Sequence, residues 1–274
     1  MQRTEILVIG ANQFATTLAD YLGNLAIPVR MNCPTQALTE EDMADYIFIQ
    51  VDTIYCLSDA SIAVLREWHK KGKVITVNVD GETVEAIQDR WNILVLGMNI
   101  GYPMKSSLFL EIVKSKRNTT AQVTALWNYG RDVLHLDPYV CDNVSIRTNL
   151  LAAMAREAFY LVDQGYADVE SIDRACRNDA GYYLPFTGNL MYMDLMGTMA
   201  YALVMKDLNP ELSTESSLPS WFTEKIETGN CGMAAGAGLH SYMAGDKALW
   251  DELMDEFSQE IGELIHKYKQ HYTY

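Results

Sequence analysis

Ile6-Leu7-Val8-Ile9-Gly10-Ala11-Asn12-Gln13-Phe14-Ala15 is the stretch on which the reading of the fold turns. Four consecutive apolar residues, without polar alternation, describe a strand buried on both faces, as in parallel sheets covered by helices. Gly10 ends that run, and helical spacing follows from about Phe14 to Leu22. A buried strand that leads through a glycine turn into a helix is the first half of a βαβ unit.

The alternation continues downstream. A weaker strand is predicted around Val29, and a stronger one from Tyr46 to Val51. The segment Asp59 to Lys71 has helical spacing, with Ile62, Leu65 and Trp68 on one side. Apolar runs at Val74 to Val77 and Ile93 to Leu96 flank a predicted helix near Glu82 to Arg90. This order implies a Rossmann-type α/β unit, a parallel sheet with helices on both faces. Ligands bind such sheets beyond the carboxyl ends of the strands, which here carry Gly10, Asn32, Asp52, Asn78 and Asn99.

From about Asn149 the pattern becomes helical throughout: Leu150 to Gln164, Val169 to Arg177, a long apolar stretch Leu190 to Met205, and Trp250 to Tyr268. Two domains are therefore expected, 1–140 and 141–274, with a Ser/Pro-containing connector at Pro210 to Pro219. Met191, Tyr192, Met196 and Tyr201 in the apolar stretch read as core or as a subunit interface, and a homodimer through the helical half is the expectation.

Bulk properties narrow the partners. The 274 residues are 49% hydrophobic and 21% charged, an ordinary globular balance. A net charge of −15 repels nucleic acid and anionic membrane surfaces, so neither is expected as a partner. The same field gives an anionic substrate no net attraction, so such a ligand needs local donors. The five cysteines are scattered without a C-x-x-C pair, which suggests no disulfide framework and no zinc site. Nothing approaches a membrane span of about 20 apolar residues. A cytoplasmic protein is expected.

The loop after the first strand carries part of a dinucleotide fingerprint. That motif needs one Gly for the turn, a second to admit the pyrophosphate, and a third small residue for close helix packing. Gly10 fits the first role and Ala15 the third, while Asn12 stands in place of the second Gly. Ala11, Gln13 and Phe14 complete the loop. The acidic residue expected on the ribose hydroxyls is Asn32, and Arg30 close by leaves NADP open beside NAD. Retained nucleotide binding and a fold with an altered site are both compatible with this loop.

Four later segments resemble the 3-hydroxyacyl-CoA dehydrogenase family. Gly229-Asn230-Cys231-Gly232 followed by Gly236-Ala237-Gly238-Leu239-His240-Ser241-Tyr242 is similar to the family's glycine-rich C-terminal signature. Arg156-Glu157-Ala158-Phe159, Gly165 and Ile172-Asp173 resemble its helix pair. Leu184-Pro185-Phe186-Thr187-Gly188 with Asp194-Leu195-Met196-Gly197 is similar to a helix start found especially in lambda-crystallin/L-gulonate and carnitine dehydrogenases. The resemblance implies an all-α, 6-phosphogluconate-dehydrogenase-like C-terminal domain.

The fourth segment, Gly97-Met98-Asn99-Ile100-Gly101-Tyr102-Pro103 to Leu110-Glu111-Ile112-Val113, resembles the family's catalytic stretch, in which a His acts as acid/base and a Glu twelve residues later orients it. The carboxylate is kept as Glu111, and the His is Asn99. Asn has no titratable proton near neutral pH. Its amide can still polarise a carbonyl, together with Asn149 at the family's helix Asn, while Glu111, Asp80 or Tyr102 manages the proton. Glu111 is open to a second reading, a carboxylate at the start of an ordinary helix. His135 is taken to follow a strand, and His69, His266 and His271 to lie on solvated helical faces. Only a short stretch separates Asn32 from Tyr46, so the family's helical insertion that contributes to CoA binding is missing, which argues against a CoA thioester. The resemblance implies an NAD(P)-dependent oxidoreductase on a small hydroxy or oxo acid. The alternative is a relative that binds a nucleotide or small ligand without redox chemistry.

Overall fold

The computed structural model describes residues 4–268; His271 lies outside them. Two compact units are present, one up to Asn149 and one from Leu150 onward. The division falls after Asn149 and not after 140, because the last strand and the residues that follow it are tied to the sheet.

The front unit is built on β1 (Ile6–Ile9), β2 (Val29–Asn32), β3 (Tyr46–Ile49), β4 (Val74–Val77), β5 (Leu96–Ile100), β6 (Phe109–Lys114) and β7 (Asp137–Asp142). They form one sheet in the order β2-β1-β3-β4-β5-β6-β7. All neighbouring pairs run parallel except β5 and β6, which are antiparallel. Its helices are α1 (Gln13–Asn24), α2 (Asp59–Lys70), α3 (Val84–Trp91) and α4 (Thr120–Asp132). This is the Rossmann-type arrangement.

The residues of β1 show why the sheet is double-sided. Leu7 and Ile9 pack with Ile62, Leu65 and Trp68 of α2 and with Ile87 and Trp91 of α3. Ile6 and Val8 point the other way, toward Leu18 and Leu22 of α1 and Leu126 of α4. Strand side chains alternate between faces, so a wholly apolar strand must be covered on both. Each helix starts on a side-chain cap: Asn12 accepts from Ala15 N, Ser58 from Ser61 N, Thr83 from Ala86 N and Thr119 from Gln122 N.

Three local expectations are corrected. The run Ile93 to Leu96 is not itself the fifth strand, which begins at Leu96; Ile93 and Val95 are apolar because they bury in the α2/α3 layer on the way in. The segment around Glu111 is a strand and not a helix start. Periodicity cannot separate the two for a short apolar run, and pairing with both β5 and β7 decides it. His135 follows α4, not a strand, and occupies a left-handed turn (φ 55°) between the buried Leu134 and Leu136.

The second unit continues α5 (Ile146–Asp163) with α6 (Val169–Ala175), α7 (Gly181–Met196), α8 (Thr198–Leu208), α9 (Ser220–Glu227) and α10 (Asp246–Tyr268). The apolar stretch expected from Leu190 to Met205 is two helices. It breaks at Gly197, whose φ of 106° is open to glycine and strained for other residues. His240 of the glycine-rich loop meets Asp173 of α6, Nε2 to Oδ2 at 2.9 Å. All buried hydrophobic side chains among the described residues lie between Ile6 and Cys141. In the helical unit Leu190 and Met199 are each 74% exposed. No described helix is long and apolar enough to cross a membrane.

Candidate functional site

The sheet order reverses between β1 and β3, and a crevice of about 330 Å³ opens at the strand ends there. It is lined by Asn12 and Phe14 after β1, Gln50, Val51 and Asp52 after β3, Asn78 and Asp80 after β4, Asn99 and Ile100 of β5, and Arg147. Six residues predicted from sequence line it: Asn12, Phe14, Asp52, Asn78, Asp80 and Asn99. Gly10, Ala11, Gln13, Asn32, Tyr102, Glu111 and Asn149 are not on its walls.

Gly10 acts beneath the crevice. A Cβ there would stand 2.4 Å from Ala15 Cβ and 2.4 Å from the Gln50 carbonyl oxygen, so the turn fits only Gly over a small residue. Asn12, in the place of the second fingerprint Gly, caps α1 by accepting from Ala15 N at 2.9 Å. Its Nδ2 donates to Asp52 Oδ1 at 2.8 Å, bridging the ends of β1 and β3. The side chain is thus turned to the helix and the neighbouring strand. The amides of Gln13 and Phe14, in the first turn, donate to no protein acceptor among the described residues.

Two buried polar atoms flank β1 without partners. Asn32, 6% exposed at the end of β2, has an unpaired Oδ1; Gln50, 2% exposed after β3, has an unpaired Nε2. Arg30, read from sequence as open to a 2′-phosphate, is fully engaged. It holds both oxygens of Glu5, at 2.8 and 3.3 Å, and the carbonyls of Glu41 and Met43.

Two asparagines repeat one device along the strand ends. Asn78 accepts from Val51 N and donates to Val51 O, both at 2.9 Å, with a further bond to Asp80 Oδ2 at 2.7 Å. Asn99 accepts from Val79 N at 2.9 Å and donates to Val79 O at 3.2 Å and to Glu111 Oε2 at 2.9 Å. Both amide protons of Asn99 are therefore committed to the protein, which differs from the expectation that one polarises a substrate oxygen.

The twelve-residue spacing from Asn99 to Glu111 is an antiparallel register pair, and Tyr139 of β7 is the next residue in the row. Glu111 is fully buried and accepts five hydrogen bonds. Asn99 Nδ2 (2.9 Å) and Ser145 Oγ (2.6 Å) reach Oε2; Tyr139 Oη (2.9 Å) and the amides of Ile146 (2.8 Å) and Arg147 (3.2 Å) reach Oε1. Burial works against the charge, but the donors, Ser145 and Asn99 foremost, outweigh it and hold the carboxyl below the ordinary glutamate range. The first-turn amides of α5 add the positive end of the helix. A carboxylate so enclosed is an anchor and a poor proton acceptor. Tyr139, donating into it, is pushed up by burial and by Glu111, and Cys141 is raised to about 11.

Asn149 is exposed on α5 and donates to Ser145 O at 2.7 Å. Tyr102 is 45% exposed in the turn after β5. Sequence reading did not single out Gln50, Val51, Ile100 or Arg147. Gln50 was legible as the polar residue closing the apolar run Tyr46–Ile49. Arg147 carried no signal, since its neighbours place it only through the Glu111 contacts.

Comparison with known proteins bears on this arrangement. The family model of the 3-hydroxyacyl-CoA dehydrogenase C-terminal domain matches residues 146–242, spanning the three back-half segments that resemble it. A 5-formyl-3-hydroxy-2-methylpyridine 4-carboxylate 5-dehydrogenase of Mesorhizobium japonicum is 25% identical over 150 residues, covering 54% of this chain and 48% of that protein. The match thus spans about half of that relative's length. The crystal structure of an enzyme of the same name, an NAD+-dependent dismutase, superposes with TM-score 0.82 at 18% identity, over 98% of this chain and 99% of that one. A 3-hydroxyacyl-CoA dehydrogenase of Archaeoglobus fulgidus gives TM-score 0.62 at 21% identity, over 94% and 99%. Residues 146–242 thus match the 3-hydroxyacyl-CoA dehydrogenase C-terminal domain, and the chain as a whole shares the fold of these dehydrogenases at low sequence identity.

Proposed function

We propose that the chain is an NAD-dependent oxidoreductase acting on a small hydroxy or oxo acid. The observation that carries this is the unpartnered buried Gln50 Nε2 on the wall of the switch-point crevice, with the equally unpartnered Asn32 Oδ1 at the end of β2 on the other side of β1. An orphaned buried polar atom costs about 1–3 kcal/mol, and a ligand with hydroxyls and acceptors removes that cost. Asn32 suits a ribose hydroxyl, and the Gln13 and Phe14 amides suit a pyrophosphate. Arg30 is tied to Glu5, which favours NAD over NADP. The structural relative at TM-score 0.82 is an NAD+-dependent enzyme named for a pyridine carboxylic acid.

The cofactor would supply hydride exchange with the substrate carbon. The chain's own residues set the surroundings. Asn99 and Glu111 fix the loop after β4 and the first turn of α5, and Asp80, the exposed carboxylate beside Val79 on the crevice wall, holds or returns the proton. Gly10, Ala11 and Asn12 shape the turn, Phe14 and Asn78 line it, and Asp52 anchors Asn12. Asn149 and Tyr102, at the margins, shape substrate access. The helical unit pairs with a second copy, because large apolar side chains such as Leu190 and Met199 stay exposed among the described residues. Sedimentation of the native chain as a dimer, and of Met199→Asp as a monomer, is the expected outcome; a native monomer would contradict it.

A second reading has its own support. With both Asn99 protons committed and the Glu111 carboxyl held below the ordinary glutamate range, the family's acid/base pair offers no base near neutral pH, which suits a nucleotide-binding protein without turnover. Fluorescence titration decides the first step: NADH is expected to bind in the micromolar range and NADPH at least tenfold more weakly. No binding at millimolar NADH would overturn the proposal. Binding with no NADH oxidation across a panel of 2- and 3-oxo acids would favour the second reading.

A further inference from the structure

We infer that Arg147 is the anion anchor of the crevice and takes a carboxylate of the substrate. The inference rests on the oxidoreductase reading above and names the residue that reads the acid.

The charge pattern leads to it. The chain carries −15, and the crevice wall itself presents Asp52 and Asp80. A small anion entering this field needs a local cation. Arg147 is the cation among the crevice-lining residues, and its guanidinium makes no ion pair or hydrogen bond with the described residues. Every lining aspartate, by contrast, has a partner: Asp52 receives Asn12 and Asp80 receives Asn78. A guanidinium offers five donors in a planar fork that matches a carboxylate bidentately.

Its position is fixed from two sides. The Arg147 amide donates to Glu111 at 3.2 Å, and the guanidinium carbon lies 5.7 Å from the Phe109 ring centre. Phe109 in turn meets Tyr139 edge-on, with centroids 5.5 Å apart. The Glu111 knot thereby acts as a positioning device for Arg147.

Place in the sheet separates this role from holding the cofactor's phosphates. The free amides of Gln13 and Phe14 follow β1, whereas Glu111, which holds Arg147, stands on β6, four strands along. At one strand spacing each, the two backbones stand about 19 Å apart, and the Arg147 side chain reaches from the far one into the crevice that Phe14 also lines. An arginine at the β5/β6 end serves the reacting end of a dinucleotide, where the substrate lies.

The test is calorimetric, with acetoacetate and pyridine-4-carboxylate as probes against their neutral counterparts, methyl acetoacetate and pyridine-4-carboxamide. Each is titrated into the native chain with and without saturating NADH. At least one carboxylate should bind tenfold or more tighter than its neutral partner. Arg147→Met should erase that difference, Arg147→Lys should keep part of it, and the NADH Kd should change by less than threefold. Equal binding of carboxylate and neutral probe, absence of carboxylate binding, or a difference that survives Arg147→Met would overturn the inference. A tenfold rise in the NADH Kd of Arg147→Met would reassign the residue to the cofactor and overturn it too. If NADH fails to bind while the cofactor-free chain still shows Arg147-dependent discrimination, the oxidoreductase reading fails and the anchor stands.

Discussion

Glu111 and Gln50 are buried polar side chains at the edge of one sheet, 0% and 2% exposed, and the fold treats them in opposite ways. Around Glu111 five donors close on two oxygens, and Asn99, Tyr139, Ser145 and the first turn of α5 are drawn into one knot. Gln50 Nε2 and Asn32 Oδ1, by contrast, are left without protein partners among the described residues. A satisfied network holds structure, and a buried group left unsatisfied costs stability until something binds. The difference separates what the sheet edge does for the fold from what it reserves for a ligand.

The largest effect is expected from the closed region. Glu111→Gln keeps the shape but places an amide NH2 against groups that are all donors, and about 3 kcal/mol of unfolding free energy should be lost. Urea denaturation measures it; a loss under 1 kcal/mol would mean that the knot is not a structural centre. The pH dependence follows from the same group. Its folded-state pKa lies below the unfolded value, so its stabilisation is full above the ordinary glutamate range and fades as pH falls through the folded value. The native chain should lose stability over that acidic window more steeply than Glu111→Gln.

Gly10→Ala comes next, since it links the regions through the turn. The added methyl meets the Gln50 carbonyl at 2.4 Å, a backbone atom that cannot swing aside, and a cost of about 2 kcal/mol is expected. Because the turn must open, NADH affinity should fall at least tenfold. Unchanged affinity would show that the turn does not shape the site.

Much of this contrast was written in the sequence, and part was not. The run Ile6–Ile9 with Gly10 and Ala15 announces the double-sided sheet, because burial on both faces leaves no polar alternation. The spacing of Asn99 and Glu111 was legible through family resemblance, but the strand nature of β6 was not, since a short apolar run looks alike in helix and strand. Asn12 reads as a departure from the fingerprint; only the structure shows its side chain turned to the α1 amides and Asp52. Arg147 was hidden because its place depends on five hydrogen bonds gathered from β5, β6, β7 and the start of α5. In the helical unit Met191 and Tyr192, read as core or interface, are half-buried, and Met196 is exposed.

The smallest expected effect is also the most direct test. Gln50→Met replaces the unpartnered amide with an apolar side chain of similar length. Thermal unfolding of native and variant chains, each with and without millimolar NADH, compares the two functions of one residue. Without NADH the variant should melt at the native temperature or above it, because an orphaned donor has been removed. With NADH its upward shift should be clearly smaller than the native one, corresponding to roughly 1 kcal/mol of lost binding. A variant that melts lower without ligand yet keeps the full NADH shift would contradict the account, for Gln50 would then belong to the closed region and not to the site.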